Sequence, residues 1–347
     1  MNAPRSHGGP DAWGVPRHDF STNANAAGPC PAALAAVQAA DRTRYPDGGY
    51  TALRACLAAF HGVEPERVLP AASASEFIFR ITAWVARQGG QRVWLPPHHY
   101  GDYAAAAQAW GLQRTARAQQ AQLAWACDPS SPLGQAQPDL AGLAEQAPLL
   151  VLDRAYEPLR LAGQPVALSQ AHAQRVWQLW TPNKALGLSG VRAAYVIAPP
   201  QAQAAVAQLQ ALCPSWPLGA EGVALLQAWA QQPAQDWLRE SLATLRAWKA
   251  RQIALCEALG WHCAPSLANY FCARPDLQGA ALQQALQALR AQGIKLRDAA
   301  SFGLPGWVRL GVLPPAAQDA LAAAWPPIRQ RACQRPGPGV VEQGALP

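Results

Sequence analysis

The chain alternates short apolar runs with segments in which apolar residues recur every three or four positions, the pattern of strands separated by amphipathic helices. Strands are predicted at Val68-Leu69, over 92–95, ahead of Asp128, over 149–152 and over 191–197. Helices are predicted over 31–40 and 51–61, the second with Leu53, Leu57 and Phe60 on one apolar face. Another begins at Ser73, which stands in capping-box spacing with Glu76 directly after a short strand. Farther on, a long helix over 236–259 carries Leu238, Leu242, Leu245 and Trp248 in register, and a helix with Leu282, Leu286 and Leu289 lies between strands over 270–273 and 307–312. The first part therefore reads as an α/β domain with a mostly parallel sheet covered on both faces, the second as a smaller α+β domain. The expected boundaries are a loose arm over 1–18, a large domain over 19–235 whose 19–40 segment can also pack on the small domain, the small domain over 236–330, and a disordered Pro/Gly-rich tail over 331–347.

In an open α/β sheet ligands sit beyond the carboxyl ends of the strands. Those ends carry Tyr100, Ser131, Asp153, Tyr156 and Lys184 toward one rim. Lys184 lies in Trp180-Thr-Pro-Asn-Lys184-Ala-Leu-Gly187-Leu-Ser-Gly190-Val-Arg192, among small and turn-forming residues, with Arg192 eight positions on. An ammonium withdrawn from water into an uncharged neighbourhood gives up its proton more readily, which is the chemistry of a Schiff-base lysine. Taken alone, the stretch is equally well read as a plain loop lysine between a helix and a strand. The amides of Ala74 and Ser75, first in their helix, form an anion site suited to a phosphate, although a capped helix without a ligand is the commoner arrangement. The segment 19–29, rich in Asn, Gly and Pro, can present side-chain amides to a site, as can any surface loop.

Composition narrows the class. At 347 residues the chain is long for one core, and with half its residues apolar and 14% charged it fits a globular enzyme. The net charge of +7 is spread rather than clustered and no base-reading module is present, so anionic small molecules explain it better than nucleic acid; a solvated basic surface does so equally. Eight cysteines without a C-x-x-C pair read as reduced thiols of a cytoplasmic protein and not as a zinc site. No apolar run approaches ~20 residues and no apolar leader is visible, so neither membrane spanning nor secretion is expected.

Taken in order, these motifs resemble the fold-type I pyridoxal-phosphate enzymes of the aminotransferase class I/II group, from about Asp19 to Val312. The resemblance implies pyridoxal 5'-phosphate as cofactor, with Lys184 bonded to it, Asp153 on the pyridinium nitrogen and Tyr156 on the 3-oxygen. It implies that Thr181, Arg192 and the amides of Ala74 and Ser75 hold the phosphate, and that Tyr100 stacks on the ring. Arg309 would take the substrate carboxylate, with Arg297 and Asn25 as further substrate contacts. Tyr45 matches a tyrosine that reaches the phosphate of a neighbouring subunit, which implies a homodimer. Two positions depart from the family: Ser131 replaces the Asn that touches the 3-oxygen, and Asn183 stands where Ser is common before the lysine.

Within this group, Asp19-Phe-Ser-Thr-Asn23-Ala-Asn25 and Arg297-Asp-Ala-Ala-Ser301-Phe302-Gly-Leu resemble the threonine-phosphate decarboxylases of cobalamin biosynthesis. The implied reaction is decarboxylation of L-threonine O-3-phosphate to (R)-1-aminopropan-2-yl phosphate and CO2. The histidinol-phosphate aminotransferases share the cofactor motifs and are the alternative. A non-catalytic pyridoxal-phosphate-binding sensory module is a third reading; such modules carry a DNA-binding domain before the fold, for which the 18 residues ahead of Asp19 are too few. A nicotinamide dehydrogenase is disfavoured because Gly187-x-x-Gly190 is not a Gly-x-Gly-x-x-Gly turn after a first strand.

Overall fold

A computed structural model describes residues 8–166 and 168–334. In chain order its strands are β1 (His18–Asp19), β2 (Val68–Ala71), β3 (Arg92–Trp94), β4 (Gln113–Arg114), β5 (Leu123–Cys127), β6 (Leu150–Asp153), β7 (Val176–Trp180), β8 (Ala194–Ile197), β9 (His262–Cys263), β10 (Tyr270–Arg274), β11 (Ile294–Lys295), β12 (Arg297–Asp298) and β13 (Val308–Gly311). Seven of them form one sheet in the order β2-β8-β7-β6-β5-β3-β4, in which β8 alone runs against its neighbours. Its central strands lack polar alternation because both faces are covered. Leu123 and Trp125 of β5 pack with Phe77, Ile81 and Tyr103, while Ala124 and Ala126 point the other way, against Leu140 and Leu143.

The second sheet, β12-β13-β10-β9, is antiparallel, and its core is closed by the helices Gly279–Ala291 and Pro315–Gln334. The helix Gln232–Ala258 joins the two bodies, with Leu238 and Leu245 in the large core and Cys256 in the small one. The segment after β1 divides in the same way. Phe20 is buried with the small-sheet core, whereas Ala33 and Val37 pack in the large one.

Four expectations change. Lys184 lies between two strands, because Val176–Trp180, left unassigned from sequence, forms β7. Phe60 is 36% exposed and turns edge-on to His61 and Trp229, so the buried face of its helix is Leu53, Leu57 and Ala58. The arm is held from Gly8 onward: Asp11 pairs with Arg290 at 2.7 Å and Lys295 at 3.0 Å, and Lys295 also donates to the Gly9 carbonyl. Pairing of an arm carboxylate with cations some 280 positions on leaves no local sequence signal. Finally, the last helix runs through Gln334, past the expected start of the tail. The rest of that tail, and residues 1–7 of the arm, lie outside the described residues. Among the described residues no helix is long and apolar enough to cross a membrane, and the cysteines from Cys30 to Cys272 are free thiols.

Candidate active site

The carboxyl end of β6 delivers Asp153 to the floor of a cavity of about 360 Å3. The side chain is buried, and burial pushes its carboxyl up from the usual range, while hydrogen bonds from Tyr103 and the Ala155 amide pull the other way. Tyr103 donates to Oδ2 at 2.6 Å and Ala155 N to Oδ1 at 2.9 Å. Tyr103 can do this because it lies one turn into the helix Gly101–Ala109 and its ring stacks on Trp125 at 4.4 Å.

The lysine loop is shaped by its own chain. Asn183, buried, donates its amide to the carbonyls of Ser189 and Val191, closing the loop between Lys184 and Arg192. Gly187 has φ +67° and a Cβ there would lie 2.4 Å from the Gly28 carbonyl oxygen, so only glycine permits this approach. Lys184 is half-buried, with Nζ 5.5 Å from the centre of the Tyr156 ring. Tyr156 packs edge-on to Tyr270 at 4.7 Å, and its hydroxyl accepts from Asn23 Nδ2 at 3.3 Å.

Opposite termini complete the cavity. The predicted cap forms: Ser73 Oγ accepts from Glu76 N, and no residue of the helix can satisfy the first amides, those of Ala74 and Ser75. Both line the cavity, and Ser75 Oγ lies 3.2 Å from the Tyr100 hydroxyl. From the small body, Arg297 and Arg309 stand directly opposite each other on β12 and β13. Their guanidinium carbons lie 4.7 and 5.4 Å from the Phe302 ring centre. Arg297 donates to Ser301 Oγ, and burial and the nearby Arg309 hold it below the usual guanidinium range. Arg309 donates to the Ser21 carbonyl at 3.2 Å, and its Nε is buried without a partner among the described residues.

Of the residues expected from sequence, Lys184, Asp153, Tyr156, Ala74, Ser75, Tyr100, Ser131, Thr181, Arg192, Arg297 and Arg309 all line this one cavity. Two do not. Asn25 is buried outside it, its Nδ2 committed to the Ala185 carbonyl and Ser241 Oγ and its Oδ1 to the Ala27 amide, so here it braces the lysine loop. Asn23, two residues earlier, lines the cavity instead. Tyr45 is 76% exposed and stacks on Trp216 at 4.4 Å, away from the cavity of its own chain. The sequence assigns no role of its own to Tyr103, or to Phe302 within the Arg297-to-Leu304 motif. Tyr103 follows Tyr100 at the i,i+3 spacing of one helical face, a signal that was available; for Phe302 the signal was its place in that motif.

The donor set fits pyridoxal 5'-phosphate on its own terms. A buried carboxylate with no cation among its hydrogen-bond donors suits a ring N–H, a lysine amine stands beside a phenol, and paired amides with Arg192 suit a phosphate. Thr181 Oγ1, buried in the wall, has no partner among the described residues. Fold and cavity together define an enzyme that works through this cofactor. Residues 17–118 and 111–324 match the model of the family described as aminotransferase class I and II, and the chain belongs to that family. It is 29% identical over 331 residues to the histidinol-phosphate aminotransferase of Rhodospirillum centenum, covering 88% of this chain and 90% of that one. The structure superposes on the histidinol-phosphate aminotransferase of Sinorhizobium meliloti in complex with pyridoxal-5'-phosphate with a TM-score of 0.76, at 22% identity, over 89% of this chain and 90% of that one. The L-threonine-O-3-phosphate decarboxylase of Porphyromonas gingivalis superposes with a TM-score of 0.73, at 20% identity, over 88% and 97% of the two chains.

Proposed function

We propose that this chain is an aminotransferase that moves the amino group of a phosphorylated substrate, histidinol phosphate, to a 2-oxoacid. The observation that carries the reading is the pair Arg297 and Arg309, set on adjacent strands over Phe302 and lining the same cavity as Lys184. Fixed guanidinium groups suit an anion held away from the reacting amine. Transamination alternates two anionic partners in one site, so the same pair would serve the phosphate of one and the carboxylate of the other. Curated relatives named for this activity support it over decarboxylation, which the sequence patterns alone put first.

Pyridoxal phosphate, when bound, supplies an aldehyde that condenses with an amine and a ring that takes up the electrons of a breaking Cα bond. The chain's own groups do the rest. Asp153, held by Tyr103 and the Ala155 amide, would keep a ring nitrogen protonated. Lys184 would carry the cofactor, and its amine would move a proton at Cα. Tyr156, steadied by Asn23, would offer its hydroxyl to the 3-oxygen, with Ser131 standing where the family has an amide. The first amides of the helix at Ala74, with Thr181 and Arg192, would hold the phosphate. Tyr45, exposed in its own chain, would reach the site of a second copy as the family resemblance implies, which makes a homodimer the proposed working unit.

Decarboxylation of L-threonine O-3-phosphate is the second reading, because the segment on which it rests, Arg297 through Phe302, forms one wall of the cavity. Incubating the holoenzyme with histidinol phosphate and 2-oxoglutarate should yield glutamate, and L-threonine O-3-phosphate alone should yield no CO2. The reverse outcome would transfer the assignment to the decarboxylase.

A further inference from the structure

His98 stands on the large-domain rim between β3 and Tyr100, and its Nδ1 lies 2.8 Å from the carbonyl oxygen of Phe302, 204 positions away on the small-domain side of the cavity. A carbonyl can only accept, so Nδ1 carries the hydrogen, as it does in both the Nδ1–H tautomer and the imidazolium. Phe302 is the residue whose ring faces both guanidinium groups. Ser301, beside it, accepts from Arg297. Gly303 follows with φ +79°, and a Cβ there would come 3.5 Å from His98 Nδ1, so the whole turn lies against the imidazole. His99 next door does not share this work, because both of its ring nitrogens are buried without partners among the described residues.

We propose that His98 is a positioning residue for anion recognition: it ties the turn 300–303 to the rim that carries Tyr100, and so fixes the Phe302 ring on which Arg297 and Arg309 rest. The inference rests on reading those arginines as the anion-binding pair. Without the hydrogen bond the turn is anchored only from its own side, and the guanidinium groups lose a fixed platform across the cavity mouth. A loosened pair binds the anion more weakly in ground and transition states alike, which raises KM and leaves kcat.

The test compares holoenzymes of the unmodified chain, His98→Ala and His98→Asn, the last because an Asn amide nitrogen can occupy the place of Nδ1. Calorimetry with inorganic phosphate, whose cofactor site is already filled in the holoenzyme, reads the arginine pair directly. His98→Ala should weaken phosphate about 10-fold and raise KM by a similar factor, with kcat and bound cofactor within about 2-fold, the loss expected of one hydrogen bond. His98→Asn should recover most of both. Gly303→Ala disturbs the same turn from the other side and should give the same split, which keeps the test decisive should His98→Ala not fold. Unchanged phosphate affinity in His98→Ala, equal loss in the Asn and Ala variants, or a fall in kcat with KM unchanged would overturn the proposal while leaving the arginine reading intact. If the unmodified holoenzyme does not bind phosphate at all, the arginine reading fails and the role of His98 falls with it.

Discussion

The Tyr103 hydroxyl offers a cleaner test of the buried carboxylate than any change to Asp153 itself. Tyr103→Phe removes one oxygen and keeps the ring, which is fully buried and stacked on Trp125 at 4.4 Å, so packing is conserved. What is lost is the 2.6 Å donation to Asp153 Oδ2, leaving the Ala155 amide as the remaining donor among the described residues. A hydrogen bond to an ionised partner contributes about 1.5–3 kcal/mol, so cofactor affinity and kcat/KM should fall by roughly 10- to 150-fold. The sign on pH follows from the same geometry. Burial already holds the Asp153 carboxyl above its usual range and Tyr103 opposes this, so without the hydroxyl the group stays protonated to still higher pH. The acid limb of the kcat/KM profile should therefore move to higher pH. Titrating apo-protein with pyridoxal phosphate by absorbance, together with a pH–rate profile, measures both effects. A variant with unchanged cofactor affinity and an unmoved acid limb would show that Asp153 does not depend on Tyr103, and the reasoning would fail.

Three further outcomes are expected. Lys184→Ala should abolish borohydride-trappable cofactor while the fold persists, and an adduct on Lys249 would refute the assignment; that amine is tied to the Ser266 and Ala268 carbonyls at 2.6 and 2.7 Å. His61, whose Nε2 lies 2.7 Å from the Tyr195 hydroxyl, is pushed down to about 4 by burial and then by Arg154, from an ordinary 6.5. Between those values the unfolded chain holds the proton and the folded one does not, so stability is intact above pH 6.5 and lost toward pH 4, by about 2 kcal/mol at pH 5. Urea unfolding of the wild type and His61→Gln at pH 7 and 5 checks this, and identical pH dependence would refute it. Sedimentation should find a dimer, with Tyr45→Phe retaining cofactor more weakly by the ~0.5–1.5 kcal/mol of one hydrogen bond; a fully active monomer would end that reading.

Where function requires a local pattern, the sequence made it legible. The cap at Ser73, the apolar run ending in Asp153 and the turn-rich loop around Lys184 are each written within a dozen residues, and each stands where that local chemistry puts it. Phe302 and His98 are different, because their roles exist only through partners brought in by the fold: a side chain tells nothing of a contact 204 positions away. Neither does Asp11, whose two cations fasten the Gly- and Pro-containing stretch from Gly8 to the small domain. Asn23 and Asn25 show the limit most closely. Both are amides in one polar segment, and only the path of the backbone decides which meets Tyr156 and which meets Ser241.

That path also explains why the segment cannot be a passive loop. His18 N donates to Gly293 O and Gly311 N to Phe20 O, which fasten its start to the small domain. Asn25 N donates to Lys184 O and Cys30 N to Leu186 O, which fasten its end to the lysine loop. Between the two anchors, Ser21 O holds Arg309 and Asn23 holds Tyr156. One short stretch of backbone thus links the amine-bearing and anion-bearing ends of the cavity, and any slip along it changes their separation. Gly8 belongs to the same arrangement, since a Cβ there would lie 2.1 Å from Ser21 O and displace the carbonyl on which Arg309 rests. If Arg309 takes the substrate anion as proposed, the arm acts on substrate fit through Ser21, and a change in this segment would alter the spacing of amine and anion that the cavity accepts.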